Sequence, residues 1–195
     1  MLLVRRRVIG GRREPNEYDL IWLIKHGRGW VENLQDRYRP LAHPLPGPLK
    51  GTLAPFFPAA ILDRVQIAEV GVIQNPPFRD EAIDRGIPSN AVDFTQMEGF
   101  TLHDVVLVSM QPKPDQDPEA LVFHELVHVV QYDLLDGVEE FMTRYVYGMR
   151  GAGWVYGMIP LEAMAYGYQD VFQNDKQTPF PVDELARELL FVPQG

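Results

Sequence analysis

The 195-residue chain contains no cysteine. No disulfide framework can staple it, and any metal site built from it must draw on His, Asp or Glu. Long apolar runs are missing too, since no stretch approaches the ~18 to 20 uninterrupted apolar residues that span a bilayer. The opening MLLVRRRVIGG has four apolar residues before its arginines, which is short of the apolar segment a secretory signal needs. A soluble, cytoplasmic protein with no membrane span is therefore expected. Positive charge is scarce as well: 18 Lys and Arg stand against 27 Asp and Glu, a net charge of -9, and such a surface repels phosphate backbones. Nucleic acid is excluded as the main partner. Arg5, Arg6, Arg7, Arg12 and Arg13 read as a solvated terminal segment.

What is present fits one folded unit. Hydrophobic residues make up 46% and charged residues 23%, which excludes disordered and fibrous classes, and the length suits one well-buried core. Residues 16 to 38 have apolar positions at helical intervals, with Asn16 as a candidate N-cap and an interruption expected near Gly27 and Gly29. Between Pro40 and Pro58, six prolines and two glycines in nineteen residues predict a loop or a surface arm without regular helix. Residues 1–60 thus read as a helical extension with a Pro-rich arm, and 61–195 as the main body. Within that body a strand is expected over 61–73, then two short strands around a turn at Glu98 and Gly99, of which TLHDVVLVS is the stronger. Helices follow at 118–136, from Val138 to about Met149, from Pro160 onward and over 182–190, with GMRGAGW as a flexible break. Strands followed by helices give an α+β class.

The helix over 118–136 has clear ends. Asp117 is a candidate N-cap, Pro118 takes the first helical position, and Gly137 stands where a left-handed residue is wanted. Inside it lies VFHELVHVVQYD, residues 122–133. Residues four apart share a helix face about 40° out of line, so His124 and His128 can aim both imidazoles at one point. Glu125 is rotated by about 100° and reaches beside that point. This is the HExxH arrangement: two nitrogens on a zinc ion and a carboxylate next to the metal-bound water. The flanking Val122, Phe123, Leu126, Val127, Val129 and Val130 supply a dry wall. A catalytic zinc takes three protein ligands and keeps a fourth position open. Glu162, 34 positions after His128 and in the first turn of a separate helix, is the favoured third ligand, with Glu139 and Glu140 as nearer competitors.

HELVH followed by a glutamate on a later helix resembles the gluzincin type of zinc metallopeptidase. More narrowly, GFTLHDVVLVS, ALVFHELVHVVQ and IPLEAMAYGY resemble the metallopeptidase-like core domain linked to bacterial extracellular contractile injection systems, whose pattern has a TLG strand before AHELTHVVQQ. The likeness covers Gly99 to Gln131 together with Glu162 and its helix. It implies a zincin-like single domain over 61–195, a small β-sheet packed on the HExxH helix, acting on a peptide or protein substrate. The chain departs from the pattern at His103, where the family has glycine, at Tyr132 within the polar run, and at Tyr166, which replaces the aspartate of the gluzincin ExxxD.

The expected mechanism follows from residue types. Zn²⁺ held by His124, His128 and Glu162 would acidify its water and polarise a carbonyl, and Glu125 would serve as general base. Tyr166, one turn after Glu162, is the first candidate donor to the oxyanion, with Tyr145, Tyr147 and Tyr156 behind it. Asp104 and Asp133 are candidates to orient the ligand imidazoles, and His103 is placed on a strand at the cleft edge. Met142, Met149, Met158 and Met164 read as core. The alternative is a catalytically silent zincin-fold binding or assembly module that retains zinc.

Overall fold

Local signals decide where the helices begin. In the computed structural model, which describes residues 8–9, 12–111 and 117–191, the Asn16 side chain accepts from Tyr18 and Asp19 N–H while Asp19 takes the Asn16 N–H at 2.9 Å. This reciprocal cap satisfies groups that the first turn leaves open. The helix it starts, α1 (Glu17–Tyr38), runs on without a break, so the interruption expected at Gly27 and Gly29 does not occur. Each glycine costs a helix roughly 1 kcal/mol, but Leu20, Leu23, Val31 and Leu34 are buried, each contributing about 1.5–3 kcal/mol. Gly27 has a packing reason as well: a Cβ there would come within 2.5 Å of Met142 Cε.

Ahead of α1, β1 (Val8–Ile9) and β2 (Arg12–Arg13) form a short antiparallel pair. Arg13 is half exposed and pairs with the buried Asp19 carboxylate, while Arg5, Arg6 and Arg7 lie outside the described residues.

The proline-rich stretch carries more structure than its composition suggests. It contains β3 (His43–Pro44) and α2 (Gly47–Leu53). Pro48 sits in the first turn of α2, where its missing N–H breaks no helical bond. Leu45, Leu53, Phe56 and Phe57 are buried in one cluster with Phe123, Leu126 and Val130 of the motif helix. Packing is therefore continuous across residue 60. The stretch expected as one strand divides into α3 (Ala59–Arg64) and β4 (Gln66–Val70), and α4 (Arg79–Asp84) follows.

β5 (Gly99–Leu102) and β6 (Val105–Ser109) complete a mixed sheet in the order β3-β4-β6-β5, parallel in the middle and antiparallel at both edges. Its hairpin turn lies at His103 and Asp104, five residues beyond the expected Glu98 and Gly99. His103 adopts φ 63°, a left-handed conformation that glycine takes at no steric cost. It therefore occupies a turn and not a strand. Val105 and Leu107 face the cluster under α1, while Val106 faces the motif-helix cluster. A strand buried on both faces reads as an unbroken apolar run, which is why VVLVS was legible.

The remaining helices are α5 (Pro118–Leu134), α6 (Val138–Gly151), α7 (Pro160–Asn174) and α8 (Val182–Phe191). Asp117 caps α5 through Glu119 N–H at 2.9 Å. Its end is set by Asp136 at φ 57°, with Gly137 N–H bonded to the Tyr132 carbonyl at 2.9 Å and Asp136 N–H to the Asp133 carbonyl at 3.2 Å. This double bond pattern is a Schellman closure, and its left-handed residue is Asp136; Gly137 comes next, as N-cap of α6. The GMRGAGW break falls late, with Gly148 to Gly151 still helical and the turn at Gly153 and Trp154. Met149 is buried and Met142 and Met164 pack partly against the core, but Met158 is 66% exposed, contrary to its reading as core. The class is α+β: α1 covers one face of the sheet, α5 the other, and α7 and α8 pack on α5. Among the described residues no helix is long and apolar enough to cross a membrane.

Candidate metal centre

Every residue of α5 from Ala120 to Tyr132 is buried, so polar side chains there must find partners inside the protein. His124, Glu125 and His128 do so in a directed way. His128 Nδ1 lies 2.8 Å from Gln131 Oε1, and Gln131 Nε2 donates to the Leu161 carbonyl at 2.9 Å. A carbonyl only accepts, so the amide is oriented and His128 Nδ1 carries a hydrogen, which leaves Nε2 as the nitrogen that faces His124 and Glu162. His124 Nδ1 lies 2.9 Å from Gln169 Oε1 on α7.

The two Nε2 atoms face each other at 3.2 Å, and Glu162 Oε2 sits 3.3 Å from His124 Nε2 and 3.4 Å from His128 Nε2. Glu162 comes from the first turn of α7, packed along α5. It is 2% exposed, and its Oε2 has no hydrogen-bond partner among the described residues. Its other oxygen accepts from the Tyr145 hydroxyl at 2.7 Å. Three electron-rich atoms thus converge in a dry setting, and His124, His128 and Glu162 can hold a metal ion.

The electrostatics express the same demand for positive charge. Burial would lower the His128 pKa, yet the Glu162 carboxylate, together with Glu125 and the Gln131 amide, raises it to about 9. Burial likewise works to raise Glu162, but the two imidazoles hold its carboxyl well below the usual range. Glu125 moves the other way: its burial dominates and raises it, against the pull of both imidazoles and Thr101.

Glu125 leaves the triangle and turns toward β5, the edge strand. Thr101 Oγ1 donates to its Oε2 at 2.7 Å. A Cβ on Gly99 would come within 2.2 Å of Glu125 Oε1, so only glycine admits the carboxylate there. Beside it opens a cleft of about 490 Å³ lined by His124, Glu125, Tyr156, Tyr166 and Gln169, with Asp93 and Glu98 also on its walls. An apolar cavity of about 70 Å³, walled by Trp30, Phe94, Phe100 and Met142, reaches Glu125 and His128 from the α1 side.

The other sequence candidates separate clearly. Tyr166 lies on the cleft, 40% exposed, with its ring 4.5 Å from that of His124. Tyr156 lines the cleft and the cavity, and Tyr145 is engaged with Glu162. Tyr147 faces away, bonded to Glu17. Glu139 and Glu140 are exposed in the first turn of α6, paired with Arg28 and Arg144. Asp104 is held by Gln35 and Arg39, and Asp133 by Arg64, so neither orients a ligand imidazole. His103 packs near Asp133, at 3.7 Å, and does not line the cleft. The orienting groups are Gln131 and Gln169. Both were within reach of helical spacing, because each falls seven residues, about two turns, after a ligand on its own helix. Thr101 and Gly99 left no local signal.

No family model, curated protein or solved structure matches the chain.

Proposed function

We propose that the protein is a zincin-like, zinc-dependent metallopeptidase that hydrolyses peptide bonds. The observation that carries this reading is the size of the ligand triangle. A tetrahedral zinc bound at ~2.0–2.1 Å requires donor atoms ~3.3–3.4 Å apart, and the three edges measure 3.2, 3.3 and 3.4 Å. Two imidazoles with a single carboxylate suit zinc better than calcium or magnesium, which prefer oxygen. The gluzincin likeness of HELVH and IPLEAMAYGY adds to it. Zinc in this position supplies Lewis acidity, acidifying a water and polarising a carbonyl.

Glu125, at the cleft wall, takes a proton from the attacking water and returns it to the leaving amine. Tyr166 and Tyr156 line the same cleft and offer hydroxyl donors to a developing oxyanion. The apolar cavity next to Glu125 has room for a small apolar side chain of the substrate.

A second reading, a zincin-fold binding or assembly module that keeps its metal without turnover, is favoured by one observation. Both ligand imidazoles meet neutral amides, where a carboxylate or backbone carbonyl is the common partner. Metal analysis and a peptide-library cleavage assay decide between the two. The peptidase binds about one equivalent of zinc, loses it in His124→Ala, and in Glu125→Gln keeps zinc while losing hydrolysis by a factor of about 10² or more. If Glu125→Gln leaves the biological activity intact, the silent module stands; if the reconstituted protein binds no divalent metal, both fall.

A further inference from the structure

We propose that Gln131 is a positioning residue of the metal centre: one amide sets the tautomer of His128 and, through the Leu161 carbonyl, the axial position at which α7 delivers Glu162. The inference rests on the metal-binding reading above.

Gln131 is wholly buried, and both ends of its amide are used. Oε1 meets His128 Nδ1 at 2.8 Å, Nε2 donates to the Leu161 carbonyl at 2.9 Å, and the same Nε2 lies 3.4 Å from Met164 Sδ. Gln131 stands three residues after His128, so amide and imidazole share a helix face. Leu161 immediately precedes Glu162. A single side chain therefore spans from one ligand to the backbone beside another, between helices that the chain separates by a long connection.

A second α5 to α7 hydrogen bond, His124 Nδ1 to Gln169 Oε1 at 2.9 Å, lies two turns farther along α7, and the remaining contacts are largely apolar, as in the stacked pair Phe123 and Phe172 at 4.4 Å. Apolar attraction has no direction and tolerates small slides. A hydrogen bond between neutral groups keeps its heavy atoms within about 2.7–3.2 Å. The Tyr145 hydroxyl holds the Glu162 side chain from α6, and the Gln131 amide is the directional link from α5 to the α7 backbone beside Glu162. Without it, a slide of α7 along α5 changes both 3.3 and 3.4 Å edges of the ligand triangle.

Zinc affinity by chelator competition and urea unfolding of the metal-free protein, measured on the full chain, test this in Gln131→Met and Gln131→Glu. Methionine keeps the volume and removes both bonds, and zinc affinity should fall 10- to 100-fold. Glutamate keeps the acceptor for Nδ1–H but, as a carboxylate, loses the donor to the Leu161 carbonyl, so its affinity should fall by up to about tenfold and less than in Gln131→Met, although a carboxylate in a dry setting makes its metal-free fold the less stable of the two. That crossed order is closed to a residue that merely supports the fold, whose zinc affinity would follow metal-free stability. The proposal is overturned if Gln131→Met binds zinc within about threefold of the parent, or if affinity ranks the variants by their metal-free stability. A parent protein that binds no zinc overturns the metal reading itself, and does so before any variant is compared.

Discussion

The hydroxyl of Tyr145 on α6 donates to Oε1 of Glu162 on α7 at 2.7 Å, which leaves Oε2 as the oxygen that faces both imidazoles. The tyrosine thereby divides the carboxylate into a held oxygen and one turned to the two imidazoles. Burial and the neighbouring carboxylate push the Tyr145 pKa well above its ordinary value, so the phenol stays protonated and donating through the neutral range.

Removing that donor in Tyr145→Phe leaves a buried carboxylate oxygen unpaired. A lost bond to a charged group costs about 1.5–3 kcal/mol, so zinc affinity should weaken by roughly one to two orders of magnitude. Competition with a chelator measures it. An unchanged affinity would show that Oε1 needs no partner.

Gly99→Ala addresses Glu125 without touching a ligand. The added methyl collides with the carboxylate at 2.2 Å, and Thr101 blocks the opposite side. A displacement of about 1 Å at a reacting group can cost on the order of 10²-fold, so kcat should fall strongly while zinc content stays at the parent value. Turnover and metal content from one preparation provide the check.

Phe123, fully buried next to His124, stacks on Phe172 at 4.4 Å and meets Phe56 and Phe57 edge-on at 5.6 and 5.0 Å. Phe123→Ala should cost about 3–5 kcal/mol through lost burial and the cavity left behind. Urea unfolding reads that loss directly. A change under 1 kcal/mol would mean that the cluster repacks.

Asp104 ties the β5–β6 turn to α1 through Gln35 at 2.7 Å and to Arg39 at 2.5 Å. Burial would raise its pKa, but the Arg39 guanidinium and the Gln35 amide hold it below the ordinary value. A lowered native pKa means that the ionised form stabilises the fold above the unfolded value of about 3.9, and that this contribution is lost as pH falls through the native value. Asp104→Asn should therefore cost on the order of 1 kcal/mol at pH 7, with Arg39 partly exposed to solvent. The gap between parent and variant should close below about pH 4 in paired unfolding curves. A gap that stays constant down to pH 3 would assign the effect to packing.

Several elements were legible because their causes are local. The α5 helix announced itself through Asp117, Pro118 and apolar periodicity, and β6 through its unbroken apolar run. Other elements were misread where distant partners overruled local preference. Two glycines did not stop α1, because Met142 fills the space beside Gly27 and four apolar side chains bury the helix around it. Prolines did not keep 40–58 outside the core, because Pro48 falls where no N–H is needed and Phe56 and Phe57 anchor the segment on Phe123. The hairpin turn moved to His103 and Asp104, where Gln35 and Arg39 hold the Asp104 side chain from α1 and the residue after it.

The sequence by itself determined that His124 and His128 share a helix face with Glu125 beside them, because four-residue spacing in a helix is a fixed geometry. Only the tertiary structure decided that Glu162, and not Glu139 or Glu140, meets both imidazoles, that amides and not Asp104 or Asp133 orient those rings, and that Thr101 and Gly99 cradle Glu125. Those outcomes depend on how apolar surfaces more than twenty residues apart come to rest on one another. Chain spacing carries no record of that arrangement, whereas burial enforces it by requiring every polar group inside to meet a partner.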